Sequence, residues 1–166
     1  MLTHFQQMPN HSRVWIFQSS RPWTNEEKSI LEESLNTFLN SWTAHGSNLM
    51  TSYELPYNQF IVIALDEDIH SATGCSIDKS FDLIKTLGAK LNVDFFNRML
   101  IAFWEEQKGV FLVHSSKIKE EVEKGRIGAN TLTFNNLVNN LEQYRNFWKT
   151  PMSNTWLKKY INSLAV

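Results

Sequence analysis

Two short apolar runs, Phe60 to Leu65 and Met99 to Trp104, constrain this chain more than any other feature. Both fall far short of the roughly 20 residues that cross a bilayer as a helix. Each has the length and residue types of a strand, and helical stripes lie on either side. The chain must therefore build a sheet and cover it with helices.

The elements follow in a readable order. Arg13 to Gln18 is rich in β-branched and aromatic residues and reads as a strand. Thr24 and Glu27 have capping-box spacing, and Leu31, Leu35, Phe38, Leu39 and Trp42 form one helical stripe behind them. His45-Gly46 is expected to end that helix, with glycine in the left-handed cap position. Met50 to Leu55 and Gln59 to Leu65 read as strands joined through the turn Pro56-Tyr57-Asn58. A second helix runs from about Ser76 to Leu91, with Gly88 weakening its last turn. Arg98 to Glu105 and Val110 to His114 read as strands about a Lys108-Gly109 turn. Lys117 to Lys124 is a short charged helix stopped by Gly125, and Thr131 to Phe134 a last short strand. Leu137 to Trp148 carries helical signals diluted by Asn139 and Asn140. Pro151 breaks it, and Ser153 caps a closing helix through Trp156, Leu157 and Tyr160.

This order predicts one α+β domain over 1–166, with an antiparallel or mixed sheet. The first part has ferredoxin-like (split β-α-β) order, and extra C-terminal helices follow as a lid or a patch that pairs with another subunit. A net charge of −1 argues against a general nucleic-acid binder or a binder of acidic membranes. Trp15 and Phe17 are placed as in RNA-binding sheets, but the RNP motif is absent. The single cysteine forms no intramolecular disulfide, and the first residues lack the apolar block of a signal peptide. A cytoplasmic location is expected.

Several groups have the chemistry of sites. Cys75 falls at a helix start, where the dipole favours thiolate, and His45 is the candidate base. Asp78 or Asp94 would orient that base, and the alternative is a small packed residue. The same 74–80 helix start offers N–H groups to a phosphate, with Lys79-Ser80 as in a Walker A loop. Thr73 and Asp78 stand where that loop needs glycine, although Ile61 to Glu67 has the look of a Walker B strand. Arg21, Ser76, Asn97 and Arg98 are candidates to hold a small anionic ligand, the arginines pairing otherwise with Asp78 or Asp94. Asp66, Asp68 and His70 offer metal-ligand types at a spacing that matches no motif, so no metal or cofactor is assigned. Trp148, Pro151 and Trp156 are either an exposed anchor for another chain or a pin for the terminal segment.

Five segments carry a family resemblance: Val14 to Ser19, Trp42 to Gly46, Gly74 to Asp78, Asp94 to Arg98 and Phe134 to Val138. In these the chain resembles a functionally uncharacterised family of short bacterial proteins often labelled "ABC transporter ATPase". The label implies nucleotide hydrolysis, but the chain has neither a Walker A loop nor an L-S-G-G-Q-type signature. The resemblance therefore carries no catalytic residue over. The expected function is a non-catalytic binding or assembly module that self-associates and takes a small anionic ligand or a protein partner. A thiol-dependent enzyme at Cys75 and His45 is the alternative, and phosphate or nucleotide binding at 74–80 the third reading.

Overall fold

One strand is buried along its whole length, and the other elements are arranged around it. The structure is a computed structural model that describes residues 1–162. In chain order its main elements are β1 (Arg13–Gln18), α1 (Asn25–Ser41), β2 (Thr43–Ala44), β3 (Ser47–Asn48), β4 (Met50–Glu54), β5 (Phe60–Asp66) and α2 (Gly74–Leu91). There follow β6 (Leu100–Glu105), β7 (Gly109–His114), α3 (Ile118–Glu123), β8 (Leu132–Phe134), α4 (Leu141–Phe147), β9 (Lys149–Pro151) and α5 (Lys158–Asn162). The fold is α+β with antiparallel sheets: β1-β5-β4, the small β2-β3 hairpin, and β7-β6-β8-β9. None of the described helices is long and apolar enough to cross a membrane.

Period-two alternation sorts the side chains into layers. Phe17, Ile61, Ile63 and Leu65 face α1 and α2 in one core with Leu31, Leu35, Leu39, Ile84 and Leu91. Val14, Phe60, Val62 and Ala64 point the other way and pack on the second sheet through Ala102 and Phe134. The outer face of that second sheet, with Phe103, covers Ile118, Val122, Met152 and Leu157. The layers thus run helices, first sheet, second sheet, helices. All seven residues of β5 are buried, at roughly 1.5–3 kcal/mol for each large apolar side chain.

Local chemistry explains most boundaries and the places where the sequence misleads. The Thr24 and Glu27 capping box forms as expected. His45 and Gly46 do not cap α1. Both have positive φ, 51° and 80°, and they make the two-residue turn between β2 and β3, while α1 ends at an extended Trp42. α2 begins at Gly74, ahead of the expected Ser76, because Thr73 and Ser76 form their own capping box. Helix between 137 and 148 shortens to α4, with Asn140 accepting the Gln143 N–H at 2.9 Å. Asn side chains compete with the helix for backbone groups, so 135–140 runs as an irregular strap. Pro151 lies in edge strand β9, where a missing N–H is tolerated, and Ser153 sits in a short turn rather than capping α5.

The first sheet has the 1-3-2 order of a split β-α-β unit. In a full ferredoxin-like sheet the next strand would flank β1. Here that strand, β6, belongs to the second sheet, so the order is not completed, and among the described residues no strand flanks the other side of β1.

Gly88 is required rather than merely tolerated. A Cβ there would lie 2.8 Å from the Val93 carbonyl oxygen. Gly88→Ala is therefore expected to destabilise by about 1–3 kcal/mol, as overpacking does. The same change gains ~1 kcal/mol in an open helix. Urea denaturation reads the sign, and a gain would show that α2 and the 92–95 turn yield freely.

Candidate functional site

The uncovered side of β1 opens onto a cavity of about 440 Å³. Hydrogen bonds fix which backbone groups face it. Val14 N–H donates to Asn139 O on the outer side at 3.0 Å, and Ser19 N–H donates inward to Gln59 O at 2.8 Å. Ile16 and Gln18 share the parity of Val14, so their N–H and C=O groups face outward. The chain covers only the first half of this edge, through an Arg13–Asn140 bridge and a bond from Leu141 N–H to Ser12 O. The strap 135–138 then turns away. Among the described residues, no backbone group pairs with Ile16 or Gln18 on that side.

The opposite wall is β6, two of whose carbonyls accept from side chains. Leu100 O accepts from Gln18 Nε2 at 2.9 Å, and Ala102 O accepts from Thr133 Oγ1 at 2.7 Å. Gln18 Oε1 accepts from Asn136 Nδ2 at 3.0 Å, and Asn136 Oδ1 accepts from Trp148 Nε1 at 2.9 Å. An indole N–H can only donate and a carbonyl can only accept, so the ends of this relay fix both amide orientations. It ties β1, β6 and the strap together at the floor of the groove.

The rim is apolar and uncovered. Phe96, Leu137 and Trp156 are 39%, 79% and 48% exposed. Phe17, Phe81 and Phe96 meet edge to face or tilted at one end, with centroids 5.2–6.1 Å apart. Arg98 is exposed in the lining, which contains no carboxylate among the described residues, and no described ion pair engages it. A shallower depression sharing Leu137 and Trp156 adds Lys158.

The residues singled out in the sequence do not share one cavity. Of Arg21, His45, Cys75 and Arg98, only Arg98 lines the groove, with Asn97 beside it; Asn97 Oδ1 accepts the Met99 N–H. Cys75 is exposed on the first turn of α2. His45 is exposed at the β2–β3 turn, and no described hydrogen bond joins it to Cys75. Ser76 is buried and spent on the cap, accepting from Thr73 N–H at 2.8 Å and donating to Thr73 O. Arg21 finds neither Asp78 nor Asp94. It grips Glu27 with two hydrogen bonds of 2.7 and 2.9 Å and donates to Leu91 O, tying the β1–α1 loop to the end of α2.

The acidic loop is rearranged too. His11, not His70, meets Asp66 and Asp68, with Nε2 at 3.2 and 3.0 Å from their oxygens. Antiparallel pairing of β1 with β5 brings His11 there. Trp148 and Trp156 divide the two readings between them: Trp148 is buried and pins the relay, while Trp156 is exposed at the rim. Gln18 and Asn136 were missed as site residues. Neutral amides carry no motif of their own, although Val14 to Gln18, Phe95 to Arg98 and Phe134 to Val138 all line the groove. Comparison with family models, curated proteins and solved structures gives no match.

Two outcomes follow from these contacts. Amides of Ile16 and Gln18 should exchange with solvent deuterium much faster than those of Trp15 and Phe17, measured by NMR on the free protein. The Arg21 guanidinium and the Thr24 N–H hold the Glu27 carboxyl down at about 2. A depressed carboxylate means that the unfolded chain binds more protons below its ordinary value of 4.5. The clamp's stabilisation is thus present above that value and lost as pH falls from 4.5 toward 2. Urea midpoints of the native protein and Glu27→Gln should converge across that window.

Proposed function

We infer that this chain is a non-catalytic binding module whose ligand lies in the groove between β1 and β6. One observation carries the reading: an open cavity joins aromatic walls, a hydrogen-bonding strand edge and a single cation. Its size falls within the 300–1,000 Å³ or so of common ligand sites. Among the described residues its lining holds no thiol, imidazole or carboxylate, the groups that a nucleophile-and-base pair would use. The ligand class that fits is amphipathic, with an apolar body against Phe17, Phe81 and Phe96 and an acidic group toward Arg98.

The assembly form of this reading rests on Leu137 and Trp156, whose exposed surfaces would be buried between copies. Light scattering separates the two forms: a dimer at micromolar concentration supports assembly, and a monomer leaves the groove to an outside ligand.

Anilinonaphthalene sulfonate is an apolar anion and a direct probe. Its fluorescence should rise on titration with the native protein. Arg98→Glu, an exposed change, should weaken the binding about tenfold, as loss of a charge-assisted contact does. Equal binding by the variant, or no signal from the native protein, would remove this reading.

A further inference from the structure

We propose that the open half of the β1 edge docks an extended peptide segment as an added strand, with a carboxylate of that segment held by Arg98. This rests on the groove being the binding site and names what enters it.

The chain itself demonstrates the docking mode. Asn139 and Asn140 already lie beside the first half of β1 in strand-like contact, with Asn139 O accepting from Val14 N–H. At Val138 the strap leaves, and the same edge continues into the cavity through Ile16 and Gln18. The groups presented there, the N–H and C=O of two alternate residues, are the complement of another backbone in extended form. A small apolar molecule fills the walls but leaves these groups unpaired, and a buried unpaired backbone group is costly. At about 3.3 Å per residue, three or four residues of peptide span the open stretch.

The two faces of β1 define the side chains required. A strand added to the edge alternates residues toward Phe81 and Phe96 on the helix side and toward Leu137 and Val138 on the strap side. Both sets are apolar. Charge sets the remaining element. Arg98 and, at the adjoining depression, Lys158 are the charged residues lining these surfaces, although the whole chain carries −1. An acidic side chain or a C-terminal carboxylate complements them. A second copy of the chain is a poor occupant, because its own β1 edge is equally recessed behind the 96–98 and 135–138 rims, and two recessed edges do not meet.

The test is selection from a displayed library of short random peptides with free C-termini, using the full chain. The best binder is then synthesised and measured by fluorescence anisotropy. The expected peptide has apolar residues and an acid or terminal carboxylate, and Arg98→Glu weakens it about tenfold. Single backbone N-methyl groups should cost about tenfold at alternate positions only, since alternate amides face β1. On binding, the Ile16 and Gln18 amides become protected from exchange. Binding insensitive to every N-methyl group would overturn strand addition. So would Ile16 and Gln18 amides already protected in a dimer without peptide. A failed selection alongside intact dye binding sinks this proposal and leaves the amphipathic-ligand reading standing; failure of both removes the groove as a site.

Discussion

Burial of β5 on both faces is the constraint from which the rest of the molecule follows. An antiparallel strand commonly keeps one face in water. This one carries Phe60, Ile61, Val62, Ile63, Ala64 and Leu65 in unbroken succession, and each is at most 1% exposed. One helical layer satisfies only the odd-numbered set. The even-numbered set needs a second apolar surface, and the second sheet supplies it through Ala102 and Phe134. The strand after α2 is thereby committed to a different layer from β1.

The groove follows from that commitment. With β6 removed to the second sheet, β1 is left with a neighbour on one side. Exposed edges invite association, and proteins commonly cover them. Here Asn139 and Asn140 cover half, and the Gln18–Asn136–Trp148 relay ties the strap to β1 beside the other half. Side chains cap the Leu100 and Ala102 carbonyls of β6, whereas among the described residues no backbone group meets the outward groups of Ile16 and Gln18. The groove therefore presents directional backbone groups beside its aromatic walls.

Several other polar groups are spent on structure. Arg21 and Glu27 use their full bidentate geometry to lock a loop, and Ser76 and Thr73 close a helix start. Tyr144 donates its hydroxyl to Glu54 from a buried position, and burial pushes its phenol well above the ordinary value, with the Glu54 carboxylate adding to the shift. Residues that look reactive in sequence are thus often those a local motif consumes, and the groove is lined by amides and aromatics that carry no motif.

What the sequence determined by itself was local. Residue types and spacing placed the strands at 13–18, 59–65 and 110–114, each to within a residue at either end, together with the Thr24 capping box and the stripe of α1, because these depend on neighbours within one or two turns of chain. The same logic singled out Asn97 and Arg98, and both line the groove. It misplaced His45-Gly46, since glycine after a helix and glycine in a two-residue hairpin give one signal and differ only in what pairs beyond them. It paired Asp66 and Asp68 with His70 rather than His11, because the β1–β5 register spans some fifty residues and leaves no mark on local spacing. Only the tertiary structure decided which sheet β6 joins, and so whether β1 has an open edge. That choice turns on covering both faces of β5, a balance of apolar surface across distant segments that no single stretch of the chain encodes.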